Sequence, residues 1–347
     1  MNIKSLLLGS AAALLAVSGA RAADAVVVAE PEPMEYVRIC DVYGAGFYYI
    51  PGTETCLKIG GLVRYEIDWT DEDNGWNKTS LARLKFDARS ETEYGTFRRY
   101  IEFQAGIGGG GWEGDVWTGL KSEGSTALRH AYFELGGLLV GHTDTLFDGD
   151  LSGEFDKGGG DRVNQIRYTF DAGNGISVSA SLEEESDNFD YVPLVVGKVS
   201  IAQGWGSVNL FAAYDDAYGE GAFKAIANVK ATDALTLEMI ATYETGPSYW
   251  SLNTEYDGYT WSVGGYLKYQ VNEKLAVGAG GQYFADRHIG GVLPGFLDTD
   301  NNDWAIGAVV DYQVVQGLDA KLALNYNDGD SFTDGSFSGF LRLDASF

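Results

Sequence analysis

The chain is poor in the residues that most often carry chemistry. Among 347 residues there are two cysteines, three histidines and six prolines. His130, His142 and His288 are scattered, so no metal constellation forms. No Ser-His-Asp set stands out, and carboxylates are too abundant for one pair to read as catalytic. Basic residues are scarce too: 24 Lys and Arg stand against 50 Asp and Glu, a net charge of −26. Such acidity argues against nucleic acid and an anionic bilayer surface as partners. Long apolar runs are missing after the first twenty residues, so no transmembrane helix is expected. What is present is equally informative. Apolar residues make up 45% and aromatics 13%, which does not read as disorder. Forty-seven glycines and 21 tyrosines beside few prolines suit long regular strands joined by tight turns.

The N-terminus reads as a secretory signal peptide, residues 1–22. Lys4 gives the positive start, Leu6 to Val17 the apolar stretch, and Ala20-Arg21-Ala22 a small-x-small cleavage site. Removing Lys4 and Arg21 takes the net charge from −26 to −28. Residues 23–56 form a leader, with Pro31 and Pro33 in an extended stretch, followed by the segment between Cys40 and Cys56. In an exported chain these two cysteines favour a disulfide. Two free thiols or a metal pair are the alternatives.

From Leu57 to Phe347 one pattern repeats: segments of about ten residues that alternate apolar and polar, separated by Gly, Asn and Asp. Ile59, Val63, Tyr65, Ile67 and Trp69 share one face of the first; Lys58, Arg64, Glu66 and Asp68 share the other. Leu235 to Tyr243 and Leu318 to Tyr326 behave alike. Short connections, as at Gly136-Gly137, Gly173-Asn174-Gly175 and Gln316-Gly317, alternate with long polar loops near 70–79, 107–125, 143–161, 185–192, 246–258, 286–302 and 327–335. Trp261 and Tyr269 bracket one apolar face and Trp304 and Tyr312 another, each pair eight residues apart. Eight residues span roughly 26 Å of strand, or roughly 20 Å of height at the usual tilt, close to the apolar band of a membrane barrel. A sheet apolar outside and polar inside must close in lipid. The expected fold is therefore all-β: a transmembrane antiparallel barrel of about sixteen strands with a water-filled lumen. The final strand, with Leu341, Leu343, Ala345 and a terminal Phe347 on one face, resembles the closing strand of bacterial outer-membrane barrels. That resemblance implies recognition by the outer-membrane assembly machinery.

The first strands concentrate base on the expected lumen face: Lys58, Arg64, Arg83, Lys85, Arg89 and Arg98, joined by Arg167. Arg129 is ambiguous, because Ala131 and Phe133 share its parity. The 143–161 loop follows the fifth strand and carries Asp144, Asp148, Asp150, Glu154 and Asp156 among Leu146, Phe147, Leu151 and Phe155. The apolar groups can anchor it to a wall while the acids face water opposite the arginines, forming a pore constriction. The clusters Asp71-Glu72-Asp73 and Asp298 to Asp303 read as solvated loop charge, lacking an EF-hand's glycine and distal glutamate. Gly108 to Gly111 is not a phosphate loop.

Cys40-Asp41-Val42-Tyr43-Gly44-Ala45-Gly46-Phe47-Tyr48-Tyr49-Ile50-Pro51-Gly52-Thr53-Glu54-Thr55-Cys56-Leu57, then Gly60-Gly61-Leu62-Val63-Arg64-Tyr65, resembles the alphaproteobacterial general porins, as do the signal peptide and the Glu30-Pro31-Glu32-Pro33 leader. The resemblance implies a homotrimer of sixteen-stranded barrels in the bacterial outer membrane, among its lipid and lipopolysaccharide, with the third long loop folded into each lumen. The expected function is passive diffusion of small hydrophilic solutes and ions, with no cofactor and no enzymatic activity. A barrel lipid hydrolase would need a serine beside one of the histidines. An exported carbohydrate-binding β-protein would be soluble without detergent. N-terminal sequencing of the mature protein is expected to start at Ala23 or Asp24; a chain still beginning at Met1 would contradict the signal peptide.

Overall fold

The computed structural model describes residues 38–71, 75–108, 112–113, 116–117, 125–184, 191–290 and 295–347. The expected signal peptide and the leader to residue 37 lie outside them, as do Glu72, Asp73, Gly109 to Gly111 and most of the second long loop. The unit spanning Ile39–Phe347 is built on one antiparallel sheet, in which sixteen of eighteen strands form a closed ring. In chain order these are β1 (Cys56–Thr70), β2 (Trp76–Thr92), β3 (Gly95–Gly108), β4 (Ser125–Leu135), β5 (Leu138–Asp144), β6 (Arg162–Asp171), β7 (Ile176–Glu184) and β8 (Leu194–Gln203). They continue as β9 (Gly206–Asp215), β10 (Glu220–Lys230), β11 (Leu235–Glu244), β12 (Asp257–Gln270), β13 (Leu275–Gly290), β14 (Asp303–Val315), β15 (Leu318–Gly329) and β16 (Ser336–Ser346).

The ring closes because β1 has two partners. It pairs with β2 from Cys56↔Arg89 to Trp69↔Trp76, and with β16 from Leu62↔Ser346 to Thr70↔Ser338. Phe347 continues the seam, exchanging two backbone hydrogen bonds of 3.1 Å with Gly61. Glycine is required at that point. A Cβ on Gly61 would run into the Arg83 carbonyl and the Phe347 ring.

Alternation makes the sheet inside-out. Ile59, Val63, Tyr65, Met239, Val263, Leu267 and Ile306 are exposed on the outer face. Arg64, Glu66, Arg342 and Asp344 point inward and pair with one another. This suits a lipid solvent, since a lipid-facing strand buries its apolar side outward. The sixteen strands and the alternation of short and long connections match the sequence expectation.

Several strands run beyond their expected limits. β2 begins at Trp76, inside the expected 70–79 loop. β5 includes Asp144, β13 reaches Gly290, and β15 reaches Gly329. The reason is physical. Above the lipid band both faces of a strand meet water, so apolar alternation stops before backbone pairing does. The stretch Phe296–Asp298 even folds back onto β13 there, pairing His288↔Asp298 to Gly290↔Phe296.

At the short-turn end the cysteine segment packs inside the mouth. Tyr48–Tyr49 pairs with the start of β1, and Cys40 and Cys56 are joined as a disulfide. Both cysteines are buried with Phe47, against Tyr43 and Tyr49. Phe47 lies beneath the Arg89 guanidinium, 5.1 Å from ring centre to carbon. The disulfide spans 16 residues, a closure that stabilises by roughly 3 kcal/mol in the chain-entropy model. The sheet seam makes no use of it. A Cys40→Ser/Cys56→Ser variant is therefore expected to lose heat resistance on unheated-versus-heated gels while retaining channel conductance; loss of insertion altogether would show that the loop is needed for closure.

Candidate functional site

The 145–161 loop leaves the top of β5 and folds inward along the wall. Its apolar side chains drive this. Leu146, Phe147, Leu151 and Phe155 are buried against Val196, Phe211, Ile226, Ile240 and Tyr266, the main apolar cluster of the interior. The wall is shaped to receive them. A Cβ at Gly280 or Gly307 would come within 2.9 Å of Phe155. Burying four large side chains that water would otherwise surround contributes roughly 1.5–3 kcal/mol each.

Polar groups then fix the register. Glu183, fully buried on β7, accepts from the Thr145 hydroxyl, from the Leu146 N–H at 2.8 Å and from the Ser181 hydroxyl at 2.6 Å. Trp250, from the 245–256 loop, donates its indole N–H to Thr145 Oγ1 at 3.1 Å. Lys224, on β10, donates Nζ to the carbonyls of Gly149 at 2.9 Å and Gly158 at 2.8 Å, tying the loop's two legs together. The same ammonium stands 4.4 Å from the centre of the Phe147 ring. Glu238 accepts from the Ser152 N–H and hydroxyl, and Gln282 brackets the Lys157 backbone.

The loop tip reaches the far wall. Glu154 forms an ion pair with Lys321 at 2.7 Å and lies 3.6 Å from Arg342. Asn325 donates to its carbonyl at 3.0 Å. Glu154 holds a positive φ of 61°, a left-handed turn that sets the tip. Beside it the wall is basic but paired. Arg64 grips Asp344 through two hydrogen bonds of 2.6 and 2.7 Å, and Arg342 bonds Glu66. Buried Glu102 gathers Arg129 at 3.2 Å, Lys85 at 3.7 Å and Arg83 at 3.9 Å, while Arg83 also donates to Gln104.

The structure thus divides the seven expected wall cations. Arg64 lies on β1, next to β16 with Arg342 and the loop tip, and Arg83 and Lys85 lie on the following strand β2, where Glu102 gathers them. Lys58, Arg89, Arg98 and Arg167 face the lumen at the short-turn end. There Arg89 and Arg98 share Asp87, Arg98 also holds Glu134, and Lys58 donates to the Ala45 carbonyl. Arg167 lines the same hollow with Tyr43 and has no ion pair among the described residues. The expected loop acids divide as well. Asp144 belongs to β5. Asp148 and Asp150 keep one side open to the lumen and have no ion pair among the described residues. Partial loss of hydration against the loop and wall raises the pKa of both carboxyls, and for Asp148 the neighbouring Asp150 and Asp144 carboxylates add to it. Asp156 accepts from the Leu151 N–H at 2.6 Å, yet burial pushes its carboxyl up to about 7. Burial also lowers the Lys157 ammonium.

Three contributors were not singled out from sequence. Lys321 and Arg342 sit on β15 and β16, far along the chain from the early basic strands. Lys224 sits in the middle of a strand, flanked by Phe223 and Ala225. Arg129 was ambiguous because its strand is bulged: the register between β3 and β4 shifts between Glu102 and Phe103, so Arg129 and His130 both turn inward. The structure also brings Ser251, Glu244 and His288 together. Serine and histidine bind the same Glu244 oxygen, at 2.7 and 3.1 Å, instead of each other. That order does not activate the serine. Of the acidic 298–303 stretch, Asp303 is buried and accepts from the Tyr259 hydroxyl at 2.6 Å.

Residues 24–340 match the family model described as "Porin subfamily". The chain is 36% identical over 381 aligned positions to the porin Omp2b of Brucella suis biovar 1, covering all of both chains. Its fold is similar to that of the outer membrane channel DcaP of Acinetobacter baumannii, with a TM-score of 0.65 and 16% identity over 86% of this chain and 99% of the other. The trimer form of OmpT, an outer membrane protein of Vibrio cholerae, superposes with a TM-score of 0.58 at 13% identity, covering 85% of this chain and all of the other.

Lys224 gives the loop's attachment a direct test. A Lys224→Met substitution keeps the stem and removes both carbonyl hydrogen bonds, each worth roughly 1.5–3 kcal/mol for a charged donor. The barrel is expected to fold and insert, with single-channel current noise clearly above wild type. A recording as quiet as wild type would show that the apolar anchors alone hold the loop.

Proposed function

This chain belongs to the porin subfamily and forms a water-filled channel of the bacterial outer membrane, and we propose that its solute path is set by the 145–161 loop against the basic wall. The observation that carries this reading is Glu154, which crosses from the loop tip to Lys321 and Arg342 and so divides the cross-section of a closed barrel. Small hydrophilic solutes and ions diffuse through what remains open. The basic side comprises Arg64, Arg83, Lys85, Arg129 and Arg342; the acidic side comprises Asp148, Asp150, Glu154 and Asp156. Lys58, Arg89, Arg98 and Arg167 act in this reading as a second basic zone at the short-turn mouth.

Charge pairing supports a weak cation preference. Most wall guanidinium groups near the tip are spent on wall carboxylates, whereas Asp148 and Asp150 have no ion pair among the described residues. Arg167 and Lys198, also without ion pairs there, oppose them from the lumen wall. Global acidity adds little at the narrow point, because charge on outer loops is screened beyond about 8 Å at physiological salt. The functional unit in this reading is a homotrimer, in keeping with the trimer form of a fold neighbour. Surrounding lipid and lipopolysaccharide, and delivery by the outer-membrane assembly machinery, belong to the same reading.

The test is the reversal potential of the purified channel in a planar bilayer under a salt gradient. Neutralising Asp148, Asp150 and Glu154 together is expected to move it toward anions. Acidification is expected to move wild type the same way. As pH falls through about 7, Asp156 takes up a proton and the lumen loses a negative charge. An Asp156→Asn channel is expected to lose that part of the pH response. Unchanged reversal potential and conductance in the triple variant would place the loop outside the solute path.

A further inference from the structure

On β1, β2 and β16 the inward Arg64, Arg83, Arg89 and Arg342 each have a carboxylate within 3.9 Å. The inward face of β6 to β9 is different. Alternation turns three carboxylates inward there, and none is free. Glu183 and Asp215 stand at the long-loop end, fully buried, accepting the backbone N–H groups of Leu146 and Tyr249. Asp171 caps the opposite turn through the Gly173 N–H at 2.8 Å. Between these two levels a chain with 50 acidic residues places none inward on these four strands. The cations there are Arg167 on β6 and Lys198 on β8, and the rest is neutral, with the hydroxyl groups of Thr169, Ser177, Ser179 and Ser200 among them.

Register sets the two cations close. Arg167 pairs with Ser181 and Thr169 with Ser179 across β6–β7, and Ser179 pairs with Lys198 across β7–β8. Arg167 and Lys198 are thus two strands and two residues apart, roughly 12 Å between Cα atoms at ordinary sheet spacings. Both point to the concave side of the barrel, where long side chains converge. Neither has an ion pair among the described residues. The inward row through Arg167 shows why: it runs Arg98, Glu134, Leu139, Arg167 across β3 to β6. Glu134 is held by Arg98 at 2.9 Å, and Leu139 stands on the next strand where a second acid would be needed. Lys198 rests 4.6 Å from the centre of the Phe211 ring. Asp148 of the loop acts on Lys198 electrostatically without pairing with it. A hollow of about 460 Å³ opens beside Arg167 and is also lined by Thr169, Arg98 and Tyr43.

A guanidinium with five unshared N–H donors, an ammonium and nearby hydroxyls together suit a small oxyanion. We propose that the β6–β8 lumen wall below the loop is a binding subsite for a small dianion of the phosphate class, held by Arg167 and Lys198. The inference rests on reading the lumen as the solute path and adds a solute class. The planar fork of Arg167 takes two oxygens side by side, and Lys198 supplies the second charge. Thr169 and Ser179 have their hydroxyl oxygens 2.8 Å apart, so one donates to the other and one O–H is left for the ligand. The subsite faces water, so the anion is held briefly and released, as passage requires. A weak cation preference is compatible with it. That preference follows from charge summed over the narrow section, whereas retention of a dianion depends on two unpaired groups on one wall.

The test is the single-channel current of the purified full-length protein in a planar bilayer, with dianionic inorganic phosphate replacing chloride at constant ionic strength. Phosphate is expected to depress the wild-type current in a saturable way. In an Arg167→Gln/Lys198→Gln double variant the phosphate concentration for half the effect is expected to rise about tenfold or more, the loss of at least one charged hydrogen bond. Each single variant is expected to fall between. A Lys268→Gln channel loses an inward cation already paired with Asp311 and is expected to respond as wild type. A wild-type current indifferent to phosphate, or a double variant as sensitive as wild type, would overturn the subsite. An equal loss of sensitivity in Lys268→Gln would overturn it too, since summed lumen charge would then account for the effect. The solute-path reading fails separately, if neutralising Asp148, Asp150 and Glu154 leaves conductance and reversal potential unchanged.

Discussion

Everything in this molecule depends on pairing the backbone of β1 with that of β16. In hydrocarbon an unpaired N–H or C=O has no water to turn to, so a sheet there has to leave no edge. The Leu62↔Ser346 to Thr70↔Ser338 ladder removes the last two edges at once, and the Gly61–Phe347 bonds extend it by one step. The side chains follow this constraint. Once the ring is closed, the two faces of every strand meet different solvents, and alternation sorts them: Val63 and Tyr65 to lipid, Arg64 and Glu66 to the lumen.

Closure creates a second problem, a broad interior of polar wall. The 145–161 loop resolves it by providing the interior with an apolar core. Phe147, Leu151 and Phe155 bury against Phe211, Ile240 and Tyr266, and the polar fastening by Glu183, Lys224, Glu238 and Gln282 satisfies backbone groups that the fold takes out of water. A loop held at so many points along the wall is a fixed part of the channel's shape. Its attachment also explains the short β5. A strand that must release the chain inward cannot continue up the wall, and at 7 residues β5 is the shortest strand of the ring among the described residues.

The lumen's electrostatics come from pairing more than from totals. The chain is strongly acidic, yet the wall near the loop tip is built of cations each held to a carboxylate: Arg64 to Asp344, Arg342 to Glu66, and three cations around Glu102. Such pairs orient the guanidinium groups and quench much of their charge. In the proposed reading, the field that a passing solute meets is set by groups left without such partners, among them Asp148, Asp150, Arg167 and Lys198.

Local patterns along the chain suffice for what depends on solvent and on near neighbours. Alternation with period two, aromatic residues eight apart and connections of alternating length define a membrane barrel, because lipid outside and water inside act on each strand separately. The loop after the fifth strand was legible for a similar reason, since Phe147 and Phe155 have no place in a free loop. Membership of the cysteine segment in a recognisable pattern supplied the family. Which charges meet is visible only in the folded barrel. Glu154 finds Lys321 and Arg342 across 167 and 188 residues of chain, Arg129 turns inward through a one-residue shift in strand register, and Lys224 ties two loop legs that sequence does not connect to it. Closing a barrel makes neighbours of residues at the two ends of the chain, and that adjacency depends on register and loop path, which no local pattern encodes.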